Sequence, residues 1–250
     1  VKMTTHAQMP VATSRRALLR ASVATAAVAT AAGSGLIAGA MPAGAATRTP
    51  TSHSARPTTP AAALAELSAG NRRWRTFKQQ HPHESQSVRH SLVSGQAPFA
   101  LILGCIDSRV PPELVFDQGL GDLMTVRSAG EVLDEAVLGS VAYGVLELGI
   151  PLILVLGHQS CGAVAAAVHA EETGESLPAH IQYIADQIKP AIDHSQEGDA
   201  RVDATVSAQV QLVRSRLAAE ADLAAKVAEG KLEIVGARYE LNTQLVHRLS

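Results

Sequence analysis

Cysteine is nearly missing from this chain: two in 250 residues, Cys105 and Cys161. Aromatic residues are scarce too, one Trp, three Tyr and three Phe making 3% of the sequence, which argues against a base-stacking platform for nucleic acid. Nor is there a surplus of positive charge. Lys and Arg number 21 against 23 Asp and Glu, a formal net charge of −2. With no excess of cations to neutralise phosphates, nucleic acid is not expected as a main partner. No internal repeat is visible. Apolar residues, in contrast, make up 46% of the chain, ample for the core of one good-sized domain plus a tail.

The first 45 residues are set apart before any reasoning about fold. Ser14-Arg15-Arg16-Ala17-Leu18-Leu19-Arg20 resembles a twin-arginine export signal, an Ala-rich apolar run follows from Ala21 to Ala40, and Ala43-Gly44-Ala45 offers a small-x-small cleavage site. A membrane anchor is the competing reading, but Thr25, Thr30, Gly33, Ser34 and Gly35 interrupt the run. The expectation is a cleaved signal over 1–45, a flexible Thr/Pro/Ser-rich linker over 46–60 and a catalytic domain over 61–250. The mature protein would then be periplasmic or extracellular, delivered by the export machinery.

Two apolar stretches dominate the domain. Phe99–Leu103 has the length and bulk of a buried parallel strand and runs into Cys105-Ile106-Asp107-Ser108-Arg109. Pro151–Gly157 is a second such strand and runs into His158-Gln159-Ser160-Cys161-Gly162. Ligands bind at the carboxyl ends of strands in open α/β sheets. If the two strands are neighbours, Cys105, His158 and Cys161 converge, and two Cys with one His make a three-ligand catalytic zinc set with Asp107 as candidate for the fourth place. In an exported chain the two cysteines also raise a disulfide. Their place at strand ends, each beside another ligand type, favours metal thiolates.

Cys105-x-Asp107-Ser108-Arg109 together with His158-x-x-Cys161-Gly162 resembles the β-class carbonic anhydrases. The similarity extends through Val110–Glu113, Phe116–Asp122, Val126-Arg127 and Gly236–Tyr239. The resemblance implies an α/β fold, a central mostly parallel sheet flanked by helices, with one zinc per chain and hydration of carbon dioxide to bicarbonate. Cys105, His158 and Cys161 would hold zinc. Asp107 would either ligate it or, paired with Arg109, accept a hydrogen bond from the nucleophile. By the same resemblance Gln96 and Tyr143 would contact substrate, and the Gly162 N–H would meet a bicarbonate oxygen. N-terminal helices that wrap onto a partner subunit would imply a homodimer or larger oligomer. The chain departs from the pattern at Met124, where Phe is common, and at Ser128 and Glu131, where Asn is usual. Ile102 stands where some relatives place the Trp of a bicarbonate pocket that goes with a closed site, so the open form, Asp107 on Arg109, is expected. Two alternatives keep the same site: a zinc hydrolase acting on carbon disulfide or carbonyl sulfide, and a non-catalytic zinc- or bicarbonate-binding module.

Elsewhere the periodicity predicts one or two helices over Ala61–Gln80, with Gly70-Asn71 interrupting and Leu64, Leu67, Trp74 and Phe77 as the apolar positions. It further predicts a strand at Leu123–Val126, helices over Asp134–Leu148, Gly162–Glu172, Leu177–Arg216 with breaks near Pro190 and Gly198, and Ala218–Glu229, a strand at Leu232–Gly236, and a pairing segment at Gln244–Leu249. His81-Pro82-His83 reads as an exposed loop rather than a metal site.

Overall fold

In this computed structural model, residues 56–250 are described. The expected export signal and most of the expected linker lie outside them. Five strands form one sheet in the order β2-β1-β3-β4-β5: β1 Ala100–Gly104, β2 Leu123–Arg127, β3 Leu152–His158, β4 Glu233–Tyr239 and β5 Val246–Arg248. The first four are mutually parallel, and β5 closes one edge antiparallel to β4. β1 and β3 are neighbours, Gly104 standing opposite Leu156. Every residue of these two strands is buried, which is why they read as unbroken apolar runs rather than alternating ones.

Helices cover both faces. On one lie α1 Pro60–Arg75 and the short α3 Pro112–Val115, whose side chains join Ile102, Leu154 and Val235 in one core cluster. α2, Gln86–Ser91, is a short turn of helix before β1. On the other face lie α4 Glu135–Leu146, α5 Gly162–Thr173, α6 Ile181–Ile188, α7 Gly198–Ala219 and α8 Ala221–Ala228. There Leu101, Leu103, Ile153 and Val155 pack against Val141, Val210 and Leu217. Asp134 caps α4 by accepting from the Val137 N–H at 2.8 Å, and α4 presents Val137, Val141 and Val145 to the sheet.

The expected break in the first helix does not occur. α1 runs unbroken through Gly70-Asn71, because both residues serve packing. A Cβ at Gly70 would stand 1.7 Å from the Phe116 carbonyl oxygen, so a residue without a side chain lets the helix lie on that loop. Asn71 is buried. Its Nδ2 donates to the carbonyls of Val115 and Gln244, at 3.1 and 3.0 Å, and its Oδ1 accepts from the Val246 N–H at 3.0 Å. Helix α1 spends its apolar face on its own sheet through Ala63 and Leu67. Trp74 Nε1 donates to the Tyr239 hydroxyl at 3.1 Å. Phe77, expected to join this packing, lies beyond the helix end and is exposed. No helix among the described residues is long and apolar enough to cross a membrane.

Candidate metal centre

The two predicted strand ends do meet. Cys105 follows β1 directly, His158 is the last residue of β3, and Cys161 is the N-cap of α5. The tight return from β3 to α5 passes through Ser160, held at a φ of 54°. The ligand atoms of Cys105, His158 and Cys161 all lie within 4.8 Å of one another, and all three residues are buried. The sulfurs are 3.9 Å apart, with the thiols free rather than joined in a disulfide.

The donor chemistry of this group fits a metal ion. His158 Nδ1 is 2.9 Å from the Gln159 carbonyl oxygen. A carbonyl only accepts, so Nδ1 carries the proton and the Nε2 lone pair faces the site. That Nε2 is buried and has no hydrogen-bond partner, as a ligating nitrogen would be before its metal arrives. A hydrogen bond from the Cys161 thiol lowers the Cys105 thiol to about 4. The same contact, with burial, pushes Cys161 up. Two buried sulfurs this close do not both ionise unless a cation lies between them, and two thiolates with one imidazole are the donors of a catalytic zinc site.

Asp107 stands beside the group rather than in it. Arg109 grips its carboxylate with Nε on Oδ1 at 2.9 Å, Nη2 on Oδ2 at 2.7 Å and its backbone N–H on Oδ1 at 2.9 Å. Asp107 Oδ2 is 3.9 Å from His158 Nε2. The Arg109 hydrogen bonds bring the Asp107 carboxyl down to about 2, so it is ionised at any ordinary pH. Arg109 also donates to the Ser160 carbonyl at 3.3 Å, linking the two ligand loops.

Of the other expected residues, Gly162 opens α5 with nothing within 4 Å of where its Cβ would be. Gln96 is exposed in the loop before β1 and Tyr143 is exposed on α4. Neither makes a hydrogen bond to Cys105, Asp107, Arg109, His158 or Cys161. Three supports escaped the sequence reading. Gly130 N–H donates to the Cys105 sulfur at 3.4 Å. Arg127 holds the Cys105–Asp107 loop by donating to the carbonyls of Cys105, 2.9 Å, and Asp107, 2.7 Å. Gln159 fixes the His158 ring through its backbone. His83 Nδ1 lies 2.6 Å from the buried carboxylate of Asp122.

An α/β sheet with two cysteines and a histidine at the ends of adjacent parallel strands, and an ion-paired aspartate beside them, defines a metalloenzyme of the three-ligand type. Residues 100–246 match the family described as carbonic anhydrase. Carbonic anhydrase 2 of Mycobacterium tuberculosis is 42% identical over 187 residues, 74% of this chain and 90% of that one. Among solved structures, a Coccomyxa β-carbonic anhydrase in complex with acetazolamide aligns with a TM-score of 0.59 at 27% identity, over 74% of this chain and 86% of that chain. A tetrameric β-carbonic anhydrase of Sordaria macrospora shares the fold with a TM-score of 0.60 at 22% identity, over 75% of this chain and 96% of that chain. The chain belongs to the β-class carbonic anhydrase family.

Proposed function

We propose that this chain catalyses the reversible hydration of carbon dioxide to bicarbonate and a proton, with one zinc held by Cys105, His158 and Cys161. The observation that carries this reading is the buried donor triad with an ionised Asp107 fixed beside it by Arg109. Zinc bound there supplies a Lewis acid that makes hydroxide available near neutral pH. The residues around it do the rest. The Gln159 carbonyl holds the His158 ring in one tautomer. Asp107 accepts a hydrogen bond from the attacking oxygen and so fixes its lone pair toward the carbon. Arg109 keeps that carboxylate ionised and holds both its oxygens by side-chain hydrogen bonds. The Gly162 N–H, at the start of a twelve-residue helix, faces the oxygen that becomes negative in bicarbonate. Stopped-flow hydration of carbon dioxide by metal-assayed protein tests the assignment.

Gln96 and Tyr143 enter the same reading as substrate contacts. Alanine at either position should raise KM while zinc content stays unchanged; a wild-type KM in both variants removes them from the site.

A homo-oligomer is part of the proposal. β2 is an edge strand with every residue partly exposed, and Leu114, Leu120, Tyr143 and Leu146 are exposed apolar groups. Unpaired edges and apolar surface of this kind favour a second copy. Sedimentation of the loaded chain should give at least twice the monomer mass, and a lone monomer at micromolar concentration would contradict it.

Export rests on Ser14–Arg20 and the apolar run after it. With Arg15 and Arg16 both changed to Lys, the chain should stay in the cytoplasm, whereas unchanged export would remove the twin-arginine reading.

A further inference from the structure

Glu131 is 1% exposed, and the reaction above leaves it without a role. It ends the Ser128–Glu131 turn, whose Gly130 N–H donates to the Cys105 sulfur. Gly130 and Glu131 both have left-handed backbone, at φ 61° and 44°. A glutamate keeps that conformation only where its surroundings hold it. The holding contacts come from two sides. Gln209 of α7, also 1% exposed, donates through Nε2 to the Gly130 carbonyl at 3.1 Å. Opposite, the Glu131 carboxyl lies against Gly157, the residue before His158. A Cβ on Gly157 would come within 3.2 Å of Glu131 Oε1 and 2.5 Å of Val210 Cγ2. The carboxyl thus occupies the space between the end of β3 and α7.

Two acceptor atoms here lack a donor: Glu131 Oε2 and Gln209 Oε1. Turning the Gln209 amide over brings no relief, because the Gly130 carbonyl only accepts and needs the amide N–H where it is. Among the described residues no cation pairs with Glu131. Burial, and then the negative charge at Cys105, hold its carboxyl well above the usual carboxylate range. A proton on Oε2 would turn that atom into a donor, and Gln209 Oε1 is an acceptor in want of one.

We propose that Glu131 is a positioning residue of the metal centre, its carboxyl hydroxyl donating to Gln209 Oε1 and locking the Ser128–Glu131 turn onto α7 so that the Gly130 N–H stays aimed at the Cys105 sulfur. That N–H favours the thiolate form of Cys105, and with it metal affinity. The role rests on Cys105, His158 and Cys161 being the zinc ligands.

The test uses the full zinc-loaded chain and its Glu131→Gln, Glu131→Ala and Gln209→Met variants. Infrared spectra should show a protonated carboxylic-acid band at neutral pH that disappears in Glu131→Gln. Chelator competition should give Glu131→Gln a zinc affinity close to wild type, since its amide N–H can also donate to Gln209. Glu131→Ala and Gln209→Met should bind zinc about 10-fold or more weakly, and their cobalt-substituted forms should show a shifted thiolate-to-metal charge-transfer band. Three results would overturn the proposal: no carboxylic-acid band in the wild type, Glu131→Gln as weak as Glu131→Ala, or wild-type zinc affinity in Gln209→Met. The last keeps the proposal open to refutation even if Glu131→Ala does not fold. A chain that takes up no zinc at all overturns the metal reading instead, and the infrared band still decides the state of Glu131.

Discussion

Replacing His158 or Cys161 by Ala should reduce zinc from about one per chain to a small residue and abolish carbon dioxide hydration. The ligand atoms of Cys105, His158 and Cys161 lie within 4.8 Å of one another, and the site is buried, so no neighbouring side chain is free to move in. Asp107 is held by three hydrogen bonds from Arg109. Losing a single donor therefore leaves two, too few to compete with a chelator. The fold should survive, because β1 and β3 are held by their apolar layers rather than by the metal. Metal analysis alongside circular dichroism separates the two effects. Full zinc occupancy in both single variants would remove the site assignment.

Asp107→Asn should keep zinc and lose about 10²–10⁴ in kcat/KM, the range for a positioned group that handles the reacting proton. The mutant amide no longer offers two anionic oxygens, so the Arg109 grip and the acceptor facing the nucleophile weaken together. Arg109→Ala should lose activity by a different route. Asp107 Oδ2 already lies 3.9 Å from His158 Nε2 while paired with Arg109, so without that partner it should turn onto the metal. Zinc should then be retained at least as tightly while hydration falls. The pH dependence follows from the sign of the shift. The Asp107 carboxyl lies below its ordinary value, at about 2, so the ion pair is complete above the ordinary carboxylate range and is lost only as pH falls through about 2. Activity lost between neutrality and pH 5 must come from the nucleophile or the metal ligands. A wild-type rate in zinc-loaded Asp107→Asn would contradict the role given to that carboxylate.

How much of this was legible in the sequence depended on whether one segment or two decided a feature. β1 and β3 were readable because burial on both faces leaves a continuous apolar run, and the ligands follow each run directly. α4 and α5 were readable from helical period and from their starts. Helix α1 was misread as interrupted, since Gly70 signals a break locally and only the Phe116 carbonyl 46 residues further on explains the glycine. Phe77 fitted the apolar period yet lies past the helix end. Arg127, Gly130 and Gln209 could not be assigned their contacts, because each touches the centre through a loop or helix far away in sequence. Glu131 was visible as a departure from the family pattern. Its partner on α7 was not.

The most direct test of the central claim is stopped-flow carbon dioxide hydration by the full chain, measured as zinc is removed and then restored, with metal content assayed in each sample. Catalysis in proportion to bound zinc, lost with the metal and recovered on reloading, is the predicted result. A folded chain holding one zinc per subunit and showing no hydration above the buffer would contradict it.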